Sequence, residues 1–328
     1  MITVVYGAYM NRVPVIGISG CLTGLPVRFD GTHKRVGFVM DELSQFVSYK
    51  PVCPEIAIGL PSPRSSLRLV KTGAAEIRMQ YSRPPHTDIT DRIQEFADSF
   101  SEQCNFLSGF IVCAKSPSCG MTRVRTYNKQ GGREKKDGIG IFTKALMHYC
   151  PWLPVEEDGR LNDPFLRENF IERLFVLSEL NGMYTDTLSY KDVQTFNFRH
   201  KLQLMSHDYT GYNELQRFIT EQYSLRKKDV FFDLYRQKLM SILEKPSSRE
   251  KNTNVLTNIF FSLRNHLCSQ RKKRMMDLIN DYYIGYIPLL APIAMINHYI
   301  EEYSVPYIST QTWLNPYPKE LRIRLNTK

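Results

Sequence analysis

Three cysteines lie immediately beyond three short segments whose composition predicts buried strands. Cys21 follows VIGIS, Cys53 follows YKPV, and Cys119 lies just beyond FIVCAKS. The segments are short, apolar and rich in β-branched residues. Ligands of an open parallel α/β sheet bind outside the carboxyl ends of its strands. A single free cysteine is usually a small buried hydrophobe, but three at equivalent strand ends favour a common site.

Thiolates are soft ligands that suit zinc and iron–sulfur clusters. The sequence contains no CxxC pair, which excludes zinc knuckles and ferredoxin-type runs. A structural zinc would need a fourth ligand, and His33 and Cys113 are the near candidates. A cubane iron–sulfur cluster held by three cysteines would instead leave one iron open as a Lewis acid. Structural positions are expected for the other cysteines, namely Cys113 inside a strand, Cys104 and Cys268 within helices, and Cys150 at a helix end.

Polar side chains crowd the same loops. Glu55 follows the second of these cysteines by two residues, Ser116 and Ser118 precede the third, and Asp30 closes the loop GCLTGLPVRFDGTHKR. A carboxylate beside a metal can act as a general base toward water, and a hydroxyl can relay a proton. The alternative for Glu55 is a loop carboxylate that caps a helix or faces water.

Strand and helix signals alternate through the first half of the chain. The expected strands are 13–19, 47–52 and 108–116, with a hairpin around residues 71–73 and an edge strand at 122–128. Helical periodicity is found at 37–47, 88–107 and 138–149. This alternation predicts an α/β domain with a largely parallel sheet in a Rossmann-like, three-layer arrangement.

From Asp163 onward the strand signals fade and helical patterns follow one another. The first helix is expected to run from Asp163-Pro164 to Asn181-Gly182. Six more are expected, at about 188–207, 212–224, 229–244, 252–268, 271–283 and 289–303. The second half is therefore predicted to be all-α. With the boundary within 165–185, the domains are residues 1–175 and residues 185–328.

Length and charge constrain the class of protein. The 328 residues favour two domains, and 42% hydrophobic with 23% charged residues is ordinary for a globular protein. The net charge of +10 suits a polyanion such as nucleic acid, although many basic proteins bind none. No run of about 18 apolar residues and no signal-peptide pattern is present, so we expect a cytoplasmic protein with no membrane association.

Four stretches together resemble the TudS-like thiouracil desulfidases, from about Val15 to Phe175: GCLTGLPVRFDGTHKR, PVCPEIAIGLPSPRSSLRLV, GFIVCAKSPSCGMTRVR and LPVEEDGRLNDPFLRENFIERLF. In the second half, FRHKLQLMSH, YIPLLAPIAMINHYI and TWLNPYP resemble the YbgA-like helical domain, from about Phe196 to Leu325. The combination is similar to the fused tRNA 4-thiouridine desulfidases (RudS-like).

The resemblance implies a [4Fe-4S] cluster held by Cys21, Cys53 and Cys119. It also implies catalytic roles for Glu55 and for Ser116, with Ser118 as the alternative serine. The expected reaction is hydrolytic removal of sulfur from 4-thiouridine in tRNA, giving uridine and sulfide. The thiocarbonyl sulfur would bind the open iron, and no net electron transfer, hence no redox partner, would be required.

Polar and basic side chains around these motifs are the expected contacts to substrate and RNA. The expected substrate-binding residues are Arg28, Asp30, Arg35, Arg64 and Ser118. The expected RNA-binding residues are Lys34, Arg123, Arg125, Lys129, Arg133, Lys135, Lys136 and, in the helical half, Arg271, Lys272, Lys273 and Arg274. The last four are equally consistent with a solvated helix face.

Two alternative functions remain open from the sequence. The same chemistry could act on free thiouracil or on a thiolated nucleotide, against which the basic second domain argues. A non-enzymatic RNA-binding protein with a structural metal is the other. The metal content separates this alternative from the iron–sulfur enzyme.

Overall fold

The computed structural model describes residues 12–73, 76–128 and 135–325. The chain divides into two compact units, Met1–Asp163 and Pro164–Lys328. The helix that follows Asp163, Pro164–Met183, therefore belongs wholly to the second unit, whereas the expected end of the first domain, residue 175, falls within it and the expected start of the second, residue 185, falls after it. The helix is tied to its own unit by contacts such as that of Asn169 Nδ2, which donates to the Leu243 carbonyl at 2.9 Å.

The described residues of the first unit form two four-stranded sheets, with strands numbered along the chain. The first sheet has the order β2-β1-β5-β8 and is parallel throughout, which confirms the predicted fold class. Its strands are β1 (Val15–Ser19), β2 (Ser48–Val52), β5 (Gly109–Val112) and β8 (Val155–Glu157). The second sheet is mixed, with the order β4-β3-β6-β7, and comprises β3 (Leu67–Lys71), β4 (Ile77–Tyr81), β6 (Val124–Asn128) and β7 (Lys135–Gly138).

Three helices accompany these sheets: α1 (Pro54–Ala57), α2 (Thr90–Glu102) and α3 (Ile141–Tyr149). The core between them is aromatic. The ring of Phe142 on α3 lies 5.4 Å from that of Phe100 on α2 and 5.6 Å from that of Phe110 on β5. Burial of these large side chains fixes the helices against the parallel sheet and so holds its strand ends in place.

Several elements differ from the sequence predictions. The helix expected at 37–47 is an irregular π turn (Phe38–Glu42) followed by a 3-10 turn (Leu43–Gln45). Strand β6 is not an edge strand, because it pairs with β3 on one side and β7 on the other. Strands β7 and β8 were not predicted. Their sequences, KKDG and VEE, are too charged to resemble strands by composition.

The second unit is helical, as predicted. Its helices are α4 (Pro164–Met183), α5 (Tyr190–Arg199), α6 (Lys201–His207), α7 (Tyr209–Gln222), α8 (Lys228–Glu244), α9 (Arg249–Leu263), α10 (Ser269–Ile284), α11 (Leu290–Tyr303) and α12 (Pro306–Ser309). The first helix does not stop at Asn181-Gly182 but continues to Met183. The single helix expected at 188–207 is divided at His200 into α5 and α6. In the described ranges, no helix has the length and apolar character needed to cross a membrane.

A buried ionic network connects α4, the first helix of this unit, to Arg324 in the last part of the same unit. Glu172 on α4 accepts hydrogen bonds from His207 Nε2 at 3.0 Å and from Arg324 Nη2 at 3.3 Å. Arg324 also donates through Nε to Glu168 at 3.0 Å and through Nη1 to the Trp313 carbonyl at 3.0 Å. Because each charge has a hydrogen-bonded partner of opposite sign, the cost of burying these groups is offset.

Candidate metal centre and active site

The carboxyl ends of three neighbouring strands carry the three predicted thiols. Strand β1 lies between β2 and β5, with Ser19 paired to Val52 and Ile18 to Ile111. Cys21 lies in the 3-10 turn that follows β1, Cys53 directly follows β2, and Cys119 lies in the loop after β5. Parallel pairing places these ends at one edge of the sheet.

The thiols are close enough to alter each other's ionisation. Burial raises the pKa of Cys119 to about 12, and the thiols of Cys53 and Cys113 add to the shift. The pKa of Cys21 is raised first by a hydrogen bond with Cys113 and by burial, and then by the charges of Cys119 and Cys53. The structure therefore places the three cysteines expected from the sequence at the carboxyl ends of neighbouring strands.

A fourth thiol, Cys113, belongs to the same group. Strand β5 ends at Val112, so Cys113 is the first residue beyond its carboxyl end and not, as expected, a residue within the strand. Its N–H donates to Ser19 Oγ at 3.0 Å, and its side chain is half-buried. The hydrogen bond from Cys21 lowers the pKa of Cys113. Sequence analysis had retained Cys113 only as a possible fourth ligand of zinc.

The candidate donors at this edge are thiols, which are soft ligands that suit iron–sulfur clusters. Within residues 12–73, 76–128 and 135–325, no three His, Cys, Asp or Glu side chains surround one point closely enough to hold a metal ion. A cubane cluster binds each thiolate through a different iron, so its ligands are spread more widely. The other candidate zinc ligand, His33, is exposed, and its Nδ1 accepts the N–H of Arg35 at 3.4 Å.

Glu55 lies beside the thiols in a polar, mostly dry environment. It is the second residue of α1, which begins at Pro54 with Cys53 as its N-cap. Its carboxylate is 12% exposed and forms an ion pair with Arg64, whose side chain is 3% exposed. Its Oε1 also accepts a hydrogen bond from Ser118 Oγ at 2.5 Å. Such a carboxylate can take a proton from a water placed beside the thiols.

The hydroxyls of the two candidate serines form different hydrogen bonds in this structure. The hydroxyl of Ser118 is fully buried and contacts Glu55. The hydroxyl of Ser116 accepts the N–H groups of Ser118 and Cys119, at 3.2 and 3.1 Å, and so shapes the cysteine loop. Gly140 lets that loop approach α3, because a Cβ there would lie 2.5 Å from the Ser118 carbonyl. The geometry favours Ser118 as the partner of Glu55, and the role of Ser116 as proton relay stays a prediction.

Arg64 joins the loops that follow β1 and β2. Its Nη2 donates to the Val27 carbonyl and its Nη1 to the Pro61 carbonyl, each at 3.1 Å. Burial lowers the pKa of this guanidinium, and the neighbouring Cys53 thiol opposes that shift. Arg64 was predicted to bind substrate. It pairs with the carboxylate of Glu55 and donates to two loop carbonyls, and its binding of substrate stays a prediction.

The other predicted substrate contacts are exposed and make local interactions. Asp30 accepts the N–H and the hydroxyl of Thr32, at 3.1 and 2.6 Å. Arg28 donates to the same hydroxyl at 3.1 Å. Arg35 forms a bidentate pair with Asp41, at 3.0 and 2.5 Å. These contacts stabilise the loop after β1, and substrate binding by Arg28, Asp30 and Arg35 stays a prediction.

Sequence analysis did not identify Asp158 as part of this region. Its carboxylate is buried, accepts the Ala114 N–H at 2.8 Å and pairs with Lys34 Nζ at 2.5 Å. Burial lowers the pKa of Lys34, but the Asp158 contact and the nearby thiols of Cys113 and Cys21 raise it overall. The ion pair with Asp158 holds Lys34 in this region, and RNA binding by Lys34 stays a prediction. The sequence feature that could have indicated Asp158 is the charged run EED directly after the apolar segment LPV.

The predicted RNA contacts of the first unit lie on or near its second sheet. Arg123, Arg125, Lys135 and Lys136 are exposed there. Lys129 and Arg133 lie outside the described residues. The exposed positions form a basic surface on strands β6 and β7 and the turn before β6.

The four basic residues of α10 are not equivalent. Arg271 pairs with Glu302 at 2.5 Å and lies over the rings of Tyr299 and Tyr303, which are part of its own unit. Lys272 is partly buried, whereas Lys273 and Arg274 are exposed. Lys273 and Arg274 are thus the two most exposed of the four, and RNA binding by any of them stays a prediction.

Comparisons with known proteins agree with the two units. Residues 16–158 match the family model described as 2-thiouracil desulfurase, and residues 201–318 match a model described as a protein of unknown function, DUF1722. The uncharacterized protein YbgA of Escherichia coli (strain K12) is 28% identical over 152 residues, which are 46% of this chain and 90% of YbgA. A solved structure described as the [4Fe-4S]-dependent thiouracil desulfidase TudS is 28% identical, with a TM-score of 0.37, over 46% of this chain and 94% of that chain.

The first unit is thus an α/β domain that matches the 2-thiouracil desulfurase model over residues 16–158, with its thiols at the carboxyl edge of a parallel sheet. A match to 2-thiouracil desulfurase in the first unit and to DUF1722, with similarity of the chain to YbgA, confirms the resemblance found in the sequence.

Proposed function

We propose that this protein is an iron–sulfur desulfidase that converts 4-thiouridine in tRNA into uridine and releases sulfide. The observation that carries the proposal is the convergence of Cys21, Cys53 and Cys119 beside Glu55 in a domain that matches 2-thiouracil desulfurase. The solved protein TudS, described as a [4Fe-4S]-dependent thiouracil desulfidase, has the chemistry that this site would need.

The donor set fits a [4Fe-4S] cluster, because its members are thiols spread over three strand ends. Cys21, Cys53 and Cys119 would hold it. When bound, the cluster would supply one open iron as a Lewis acid toward the thiocarbonyl sulfur. The thiols are largely shielded from water, since Cys21 and Cys119 are 8% and 7% exposed.

The side chains supply the acid–base chemistry. Glu55 would take a proton from water as the oxygen attacks the carbon that bears sulfur. Arg64 would hold that carboxylate in place. The reaction exchanges a thiocarbonyl and water for a carbonyl and hydrogen sulfide, so no electrons are transferred. Ser118 or Ser116 would pass the proton on as the carbon–sulfur bond breaks.

Three observations support tRNA as the substrate. The net charge of +10 favours a polyanion, Lys273 and Arg274 are exposed on the helical unit, and basic residues cover part of the second sheet. A thiolated base in folded tRNA would have to turn out of its stack to reach a site at a sheet edge. The alternative substrate, free thiouracil, is favoured by the description of the matching family.

Turnover of thiolated tRNA and of free 4-thiouracil by the anaerobically reconstituted protein separates the two substrates. We expect a higher kcat/KM on tRNA, which falls steeply as salt increases, because phosphate contacts are screened. Equal kcat/KM on both, without salt dependence, would assign the protein to the free base. A protein that binds zinc instead of iron and releases no sulfide would contradict both.

A further inference from the structure

We propose that one face of the mixed sheet is a docking surface for an unpaired segment of RNA, built on a row of cations that crosses three strands. This cationic row consists of Arg68 on β3, Arg125 on β6 and Lys136 on β7. Arg125 and Lys136 are expected RNA contacts, whereas Arg68 and the neighbouring Tyr127 are new. The inference rests on the proposed function, because it names the part of the first unit that binds the RNA carrying the thiolated base.

The strand register places the three cations side by side. Arg125 pairs directly with Lys136. Strands β3 and β6 pair Leu69 with Thr126. The residues that precede this pair, Arg68 and Arg125, are therefore neighbours as well. Adjacent strands lie about 4.8 Å apart, so the row is about 10 Å long. Like charges that face each other across strands destabilise a sheet, and a polyanion bound along the row would remove this repulsion.

The cationic row lies on the face of the sheet that points away from the thiols. Successive residues of a strand point to opposite faces. Leu69 and Met79, which pair across β3 and β4, are fully buried on the inner face, where Met79 Sδ lies 3.7 Å from the Ser118 hydroxyl. The residues of the row alternate with this buried set and so point outward. RNA bound to the outer face therefore does not occupy the reaction site.

Cations of the same sheet that lie outside the row pair with acids. Lys71 pairs with Asp137 at 2.7 Å, and Arg78 pairs with two aspartates. In the described part of the chain, neither Arg68 nor Lys136 has a carboxylate partner, and the buried Nε of Arg68 has no hydrogen-bond acceptor. These two members of the row therefore keep positive charge that a negatively charged partner can neutralise.

A partly exposed aromatic ring lies beside the row on the same face. Tyr127 follows Arg125 by two residues on β6, and the guanidinium carbon of Arg68 lies 5.7 Å from the centre of its ring. Proteins bind unpaired RNA by stacking its bases on aromatic rings and guanidinium planes, whereas the bases of a duplex are stacked on each other. A line of cations next to a ring thus fits a phosphate chain with unpaired bases better than a duplex or a lipid surface.

Affinity for a short RNA across a salt series tests the cationic row. The probe is a fluorescently labelled single-stranded oligouridylate, and its anisotropy is followed with the full-length, reconstituted protein. Arg68→Gln should weaken binding and make the slope of log affinity against log salt shallower by about 0.7, the value for one phosphate contact of a single strand. Lys71→Gln removes the same charge from the other face of the same strand and should keep the wild-type slope. Equal slopes in wild type and Arg68→Gln would overturn the proposal.

Substitutions of Tyr127 test the stacking of bases. Tyr127→Val keeps a strand-forming residue but removes the ring, so affinity should fall roughly 5- to 100-fold, as for one stacked base, with the salt slope unchanged. Tyr127→Phe should bind as the wild type. Unchanged affinity in Tyr127→Val would overturn the assignment to unpaired RNA.

Two comparisons on the wild type need no variant that must fold. Tighter binding of a duplex of the same length than of the single strand would contradict the assignment to unpaired RNA. Binding to vesicles of anionic phospholipid, without binding to the oligouridylate, would assign the row to a membrane surface and overturn the proposal.

These outcomes differ from failure of the proposed function, because RNA binding is measured without turnover. If the substitutions leave RNA binding unchanged while the wild type releases sulfide from tRNA, the desulfidase assignment stands and only this surface is wrong. If the wild type binds the oligouridylate through the row but releases no sulfide from any thiolated substrate, the surface stands and the proposed function fails.

Discussion

Replacement of Arg64 by methionine should destabilise the first unit far more than its single lost charge would suggest. The guanidinium is 3% exposed and pairs with a carboxylate, Glu55, that is 12% exposed. Removal of one partner of a buried pair typically costs about 3–5 kcal/mol, because the other charge is left without compensation. The carbonyls of Val27 and Pro61 also lose their donor, and water entering the space would offset part of that loss.

An exposed ion pair provides the comparison for the loss of stability expected from breaking the buried pair. Arg35 also forms a bidentate pair with a carboxylate, Asp41, but the two side chains are 45% and 58% exposed. Such pairs contribute about 0–1 kcal/mol. We therefore expect the free energy of unfolding to fall by about 3–5 kcal/mol in Arg64→Met and by at most about 1 kcal/mol in Arg35→Met.

The two tryptophans allow the first unit to be followed alone. Trp152 lies in the first unit and Trp313 in the second, and both are buried. In a Trp313→Phe background, the fluorescence of Trp152 during urea unfolding of the reduced, metal-free protein reports the first unit. Adding Glu55→Gln to Arg64→Met should recover part of the loss, because no unpaired charge remains. Equal losses in Arg64→Met and Arg35→Met would refute the buried-pair reasoning.

Three further outcomes test the site and the RNA surface. Glu55→Gln should retain iron and lower turnover by roughly 10²–10⁴-fold, the usual range for one acid–base group, and near-normal turnover would place the base elsewhere. Ser118→Ala should lower turnover at unchanged iron content, and a larger loss in a parallel Ser116→Ala measurement would restore Ser116 as the relay. Replacing Lys273 and Arg274 with alanine should weaken binding of thiolated and unthiolated tRNA equally and make the salt slope shallower by about 0.7–0.9 per lost contact, which unchanged binding would contradict.

The sequence was sufficient to locate the thiols because strand ends are local features. Apolar, β-branched runs predict strands, and the parallel sheet then brings Cys21, Cys53 and Cys119 to one edge. The position of Cys113 depended on where β5 ends. A boundary expected at residue 116 placed this cysteine inside the strand, whereas pairing with β8 ends at Val112. A shift of a few residues in the strand boundary therefore moves Cys113 from the strand into the loop that follows it.

The contacts that complete the site could not be predicted, since they join residues far apart in sequence. Ser118 reaches Glu55 across 63 positions, and Asp158 accepts the N–H of Ala114 across 44. Such contacts depend on the loop conformations after the strands. The charged strand β8 illustrates the same limit, because VEE acquires its extended form from pairing with β5 and not from its composition.

The release of sulfide with uptake of oxygen from water tests the central claim most directly. The anaerobically reconstituted protein, with its iron content measured, is incubated with 4-thiouridine-containing tRNA in water enriched in the heavy oxygen isotope. We predict one sulfide released for each uridine formed, with the heavy oxygen at the carbon that had carried sulfur, and a large loss of both in Glu55→Gln. A fully iron-loaded wild type that releases no sulfide from this tRNA or from free thiouracil would contradict the account.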